Sequence, residues 1–85
     1  MEPEELLEKL RPLLVDRLMV NEYEVIPDAR LVEDLGADSL DVVDLIEAVQ
    51  AEFDIEIKDE DIEGIKTIGD VISCIDDLLK LKEIK

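Results

Sequence analysis

The stretch Asp34-Leu35-Gly36-Ala37-Asp38-Ser39-Leu40-Asp41, continuing as Val42-Val43-Asp44-Leu45-Ile46-Glu47-Ala48-Val49, decides how this chain folds. Gly36 supplies the conformational freedom to turn. Asp38 reads as a helix N-cap, and Asp41, three residues on, can close a capping box. Apolar residues then recur at Val42, Leu45, Ile46, Val49 and Phe53, the i, i+3, i+4, i+7, i+11 pattern of one helix face. The spacing predicts a helix over about Ser39 to Phe53. Ser39 then lies exposed in its first turn, beside backbone N–H groups with no partner in the helix and the positive end of the dipole. An attached phosphate is well placed there. Taken alone, a serine at a helix start is most often only a cap.

Working outward, the chain reads as helices on both sides. Pro3, Glu4 and Glu5 are first-turn residues, and Leu6, Leu10, Leu13, Leu14 and Leu18 mark a buried stripe. Pro12 falls inside that stripe and predicts a kink or a local break near Glu8 to Pro12, because proline removes a hydrogen bond. Met19 to Ala37 is a long connection, with Pro27-Asp28 as a turn. Val25, Ile26, Leu31 and Leu35 are its expected anchors. The Tyr23 ring is expected to pack while its hydroxyl stays wet. Ile55 and Ile57 alternate with charge in a short extended piece, and Asp59 to Ile65 reads as a short helix turned inward at Ile62 and Ile65. Thr67-Ile68-Gly69-Asp70 is a second capping box. It opens a helix with the stripe Ile68, Val71, Ile72, Ile75, Leu78 and Leu79, ending in the cations Lys80, Lys82 and Lys85.

The composition excludes several classes of function. The 85 residues make one small domain, expected over 1–85, with a modest core. There are 25 acids against 9 bases and no histidine, for a net charge of -16. That disfavours nucleic acid or an anionic membrane as partner and favours basic protein surfaces. Disorder is outweighed by the 47% apolar content, which is periodic. No run suits a signal peptide or a membrane span, so a cytoplasmic monomer is expected. With no histidine, no phosphate-binding loop and no nucleophile elbow, Ser39 has only carboxylates for company, which argues against a hydrolytic role. The serine is better read as an acceptor that another enzyme modifies.

The run Val32 to Asp41 (VEDLGADSLD), then EFDIEI from Glu52 to Ile57, then Lys66-Thr67-Ile68, resembles the acyl carrier protein family over nearly the whole chain. The resemblance implies an all-α, four-helix bundle of three longer helices and one short one, with a long loop between helices one and two. It also implies 4′-phosphopantetheine esterified to Ser39 by a phosphopantetheinyl transferase, with acyl groups held as thioesters. Expected partners are that transferase and acyl-transferring and chain-extending enzymes with basic docking surfaces, in fatty-acid or related lipid synthesis. Polyketide, lipid A-type hydroxyacyl and aminoacyl cargo stay open. The protein would be a carrier and no enzyme.

Leu40, Val43 and Glu47 form a second line on helix two, and Asp38, Asp41 and Asp44 flank it. From spacing alone, Leu40 and Val43 either widen the buried face or make a docking patch. The resemblance favours docking, with Glu47 standing where the family usually has an apolar residue. A reading from another class makes the chain an acidic structural or regulatory subunit. Asp59, Asp61, Glu63, Gly64 and Asp70 fall on positions 1, 3, 5, 6 and 12 of an EF-hand loop, but Lys66 at position 8 breaks that pattern. No metal site is expected. Cys74 is expected to be structural.

Net charge of this size makes self-repulsion large, and salt screens it over about 10 Å at 0.1 M. The melting temperature of the apo protein should rise from low to moderate salt. Crowded carboxylates with raised pKa values would extend that gain to mild acid. Equal melting temperatures at the two salt levels would show that repulsion is not limiting.

Overall fold

The computed structural model describes residues 2–83. It contains α1 (Pro3–Leu18), a 3-10 helix (Glu22–Glu24), α2 (Ser39–Phe53), α3 (Asp59–Glu63) and α4 (Ile68–Glu83). α1 packs against both α2 and α4. The predicted all-α, four-helix bundle with a long first loop is therefore the observed fold.

The apolar stripes meet in one core. Leu6, Leu10 and Leu14 of α1 face Leu45, Ile46, Val49 and Phe53 of α2 and Ile68, Val71, Ile72 and Ile75 of α4, all buried. Leu13, Leu18, Val42, Leu78 and Leu79 are partly buried at its margin. Among the described residues no polar or charged side chain is buried. No helix among them is long and apolar enough to cross a membrane. Lys85 lies outside the described residues.

Three expectations change. α1 runs unbroken through Pro12. That residue is exposed, as is Glu8, whose carbonyl loses its helical donor at Pro12 on a face open to solvent. In the loop, Val25, Leu31 and Leu35 are buried, but Ile26 is half exposed and Ala29 and Ala37 are buried instead. Tyr23 is 79% exposed, so its ring does not pack; its hydroxyl accepts from Asn21 Nδ2 at 3.1 Å.

The loop is held at both ends. Near its start, Arg11 donates to the carbonyls of Glu22 (3.3 Å) and Val25 (3.2 Å) while also pairing with Glu8. Further on, it runs antiparallel to the chain entering α4, bridged at Arg30 and Thr67. Leu31 N–H donates to Lys66 O (2.9 Å), Ile68 N–H to Ala29 O (3.0 Å) and Gly69 N–H to Pro27 O (2.8 Å). A Cβ at Gly69 would stand 3.1 Å from the Pro27 oxygen, so glycine permits this approach.

The α4 start carries the predicted box. Asp70 N–H donates to Thr67 Oγ1 (3.1 Å), and Asp70 Oδ2 accepts from the N–H groups of Lys66 (2.9 Å) and Thr67 (3.0 Å). Those backbone donors hold the Asp70 carboxyl below its ordinary pKa. Asp34 is lowered too, first by the Arg30 N–H and then by its guanidinium. The expected rise in carboxylate pKa values is thus reversed at these two residues, because each is satisfied by donors and not crowded by acids. A lowered folded pKa contributes stability above the unfolded value and loses it as pH falls through the folded one. Asp70→Asn should therefore melt below the wild type at neutral pH. The gap should begin to narrow as pH falls below about 4, where the unfolded-state carboxylate protonates, and should close only at lower pH, where the folded carboxylate protonates as well. Thermal melts at both pH values test this, and a gap independent of pH would count against it.

Candidate functional site

The approach to α2 is built in three steps. The backbone first coils through Leu31 to Leu35, with Asp34 N–H and Leu35 N–H on Arg30 O at 2.9 and 3.1 Å. Gly36, at φ 73, then stops the coil: its N–H reaches Val32 O (3.2 Å), the bond of a left-handed stop. Finally Leu35 and Ala37 drop into the core, which fixes where Asp38 emerges.

At Asp38 the backbone is extended, and the predicted box is closed in both directions. Asp41 N–H donates to Asp38 Oδ1 (2.9 Å), and Asp38 N–H donates to Asp41 Oδ2 (3.2 Å). Val42 N–H takes the Asp38 carbonyl at 3.0 Å. Ser39 is the first residue of α2 and is exposed. The N–H groups of Ser39 and Leu40 come first in the helix, where no preceding turn can accept from them.

The two alternatives for the second line on α2 are separated by exposure. Leu40 is 77% exposed, Val43 46%, and Glu47 is exposed. Leu40 and Val43 therefore do not widen the buried face; they stand in solvent beside Ser39. The flanking acids are less alike than their spacing suggested. Asp38 and Asp41 are committed to the box. Asp44 faces α1, with Arg17 Nη1 3.4 Å from both of its carboxylate oxygens.

Other candidates separate cleanly. Asp59, Asp61 and Glu63 lie within α3 and Asp70 serves the α4 box, so no EF-hand loop forms. Cys74 is partly buried, and burial, then Asp61 and Asp77, push its thiol pKa up. It is therefore a poor nucleophile at neutral pH. One feature escaped sequence reasoning: Val42, one turn beyond Ser39, lines a cleft of about 460 Å³ with Leu31, Val32, Ile65 and Thr67. These residues are far apart in sequence, and only the loop bridge to α4 assembles them.

Residues 8–75 match the family described as "Phosphopantetheine attachment site". The chain belongs to the acyl carrier protein family. It is similar to the acyl carrier protein of Clostridium perfringens (strain SM101 / Type A), 49% identical over 70 residues that cover 82% of this chain and 92% of that one. A solved acyl carrier protein of Thermotoga maritima matches with a TM-score of 0.82 at 30% identity, covering 100% of this chain and 96% of the other. A solved chain of Mycobacterium tuberculosis, given as a candidate acyl carrier protein, matches at 0.78 and 34%, covering 84% and 95%. The carrier's cofactor is 4′-phosphopantetheine, and its function is to carry acyl groups on it.

The box is a structural requirement of the carrier's helix start as well as a source of charge. Asp38→Ala should cost about 1 kcal/mol, lowering the melting temperature by roughly 4–8 °C for a domain of this size. Asp41→Lys, a substitution that leaves a purely solvated acid harmless, should also destabilise here because it opens the reciprocal bond. Circular dichroism melts read both. Unchanged melting temperatures would show that the box contributes nothing to stability.

Proposed function

We propose that Ser39 bears the 4′-phosphopantetheine arm and that the α2 face following it, Leu40, Val43 and Glu47 framed by Asp38, Asp41 and Asp44, receives the carrier's partner enzymes. The observation that carries this reading is the exposed serine on a doubly capped helix start, with two exposed aliphatic side chains beside it. When attached, the arm supplies a terminal thiol that holds an acyl group as a thioester.

The chain's own residues prepare the site for that group. The Asp38–Asp41 box locks the first turn, so the Ser39 hydroxyl is presented in one geometry. The positive end of α2 favours a phosphodiester there. The protein has no histidine to take the serine proton, so the transferase must remove it. The carrier is in that sense a substrate, and it adds no catalysis of its own.

Partners of matching chemistry present a basic rim around a small apolar socket. The acids steer such a surface and raise its on-rate, and Leu40 and Val43 fill the centre. These partners are the phosphopantetheinyl transferase and then acyl-transferring and chain-extending enzymes. Glu47 selects among them, because its carboxylate would be stranded in a wholly apolar socket. It fits enzymes that offer a cation at that place. The cleft beside Val42 offers an acyl chain the aliphatic side chains of Leu31, Val32, Val42 and Ile65, under a charged rim of Arg30, Glu33, Lys66 and Asp70. Residues 1–85 then act as one carrier domain, a monomer that meets each enzyme in turn.

Ser39→Ala tests the attachment. Its cap is supplied by Asp38, so the fold should survive with melting temperature nearly unchanged. Co-expression with an active phosphopantetheinyl transferase should add the mass of the arm to the wild type and not to the variant. A variant that still gains the arm would overturn the assignment. A wild type that gains none would favour an acidic structural subunit.

A further inference from the structure

We infer that Arg17 of α1 is a built-in competitor for the docking face, occupying Asp44 until a partner's cation displaces it. The inference rests on the reading of α2 as the recognition face.

The three flanking acids present unequal charge. In the capping box, Asp38 uses Oδ1 and Asp41 uses Oδ2, both on backbone N–H groups, leaving each a second oxygen and a full negative charge. Asp44 alone faces a cation of the same chain, with Arg17 Nη1 3.4 Å from each of its oxygens. Arg17 also reaches Asp16, at 3.9 Å. The Arg17 and Asp44 side chains keep 41% and 48% of their surface in solvent. The pair is thus exposed, and such pairs contribute roughly 0.2–1 kcal/mol. That is large enough to weigh against docking and small enough to be exchanged for another ion pair.

A partner that places an Arg or Lys against Asp44 must first displace Arg17. One cation replaces another, so Asp44 keeps an ion pair throughout the exchange. The effect on binding is modest and directional. Arg17 lowers the affinity of every partner that uses Asp44, and acts on those that use only Asp38, Asp41 and the aliphatic pair no more than any other cation of the chain does. It also offers Asp44 a partner as the enzyme leaves, which favours release. A carrier that visits one enzyme after another benefits from short residence.

The test is the rate of Ser39 modification by a broad-specificity phosphopantetheinyl transferase at low substrate concentration, across a salt series. Arg17→Ala should raise kcat/KM by up to about fivefold at low salt, the upper end of what the pair energy allows, and less at high salt. Removing any cation makes the chain more acidic and strengthens long-range steering, so Lys9→Ala is the control: Lys9 is exposed on α1 and carries the same charge. The excess of Arg17→Ala over Lys9→Ala should vanish in an Asp44→Asn background. Arg17→Gln, which keeps much of the aliphatic stem, should reproduce the gain if Arg17→Ala disturbs folding.

Equal effects of Arg17→Ala and Lys9→Ala, or an excess that survives Asp44→Asn, would overturn the competitor role while leaving the docking face standing. The face itself fails if Asp44→Asn, Asp41→Asn and Leu40→Ala all leave the rate unchanged, and the competitor role then fails with it.

Discussion

The antiparallel contact between the long loop and the entrance to α4 is the constraint on which the rest of this carrier depends. A connection of this length is entropically free to wander, and each ordered residue costs about 1–2 kcal/mol. Buried anchors at Val25, Ala29, Leu31, Leu35 and Ala37 offset that cost. Register comes from the backbone bonds of Leu31, Ile68 and Gly69. Once Leu31 is fixed against Lys66, the coil through Leu35 and the stop at Gly36 have one place to go. The helix start that presents Ser39 is therefore positioned by residues on the far side of the sequence. Gly69 belongs to this arrangement as much as Gly36 does: one permits a close approach, the other a left-handed turn.

The same few acids serve two ends. At the α2 start, Asp38 and Asp41 satisfy backbone donors that would otherwise have only water, and they hold negative charge around the serine. If α2 is the docking face, as proposed, stability and recognition cannot be separated at these positions by mutation. They can be separated at Asp44, Glu47, Leu40 and Val43, whose side chains do nothing for the capping box. A charge-reversal experiment at Asp41 thus mixes a folding effect with a docking effect, whereas one at Asp44 meets only the exposed pair with Arg17.

Much of this was legible in the sequence because it is local. The α2 boundaries, both capping boxes, the glycine stop and the stripes of α1, α2 and α4 are fixed by residues within a turn or two of one another. What the sequence concealed is non-local or carries no hydrophobic signal. Ala29 and Ala37 are buried anchors, but alanine says little about burial by its type. Ile26 and Tyr23 are apolar enough to suggest packing, yet the turn at Pro27 and the short helix Glu22–Glu24 leave both outside. Pro12 predicted a break that its exposed face made unnecessary. The pairing of Arg17 with Asp44 and the cleft beside Val42 depend on helix packing, which no spacing rule encodes.

The interior is apolar throughout, which is how so small a domain folds. Every buried side chain among the described residues is apolar, and none has an unsatisfied polar atom. Phe53 is the one aromatic ring among them. A core of this kind holds no side-chain hydrogen bond, so an apolar group entering between the helices would exchange one set of dispersion contacts for another. A polar network at the centre would make that exchange costly, since each severed bond strands a buried group. All of the described ionised side chains stand at the surface, where water and salt screen them. The division of labour is therefore spatial. The apolar interior supplies the burial that folds the domain, while the loop bridge and the capping boxes of α2 and α4, all made of backbone-directed hydrogen bonds at the periphery, keep the helix starts where they are.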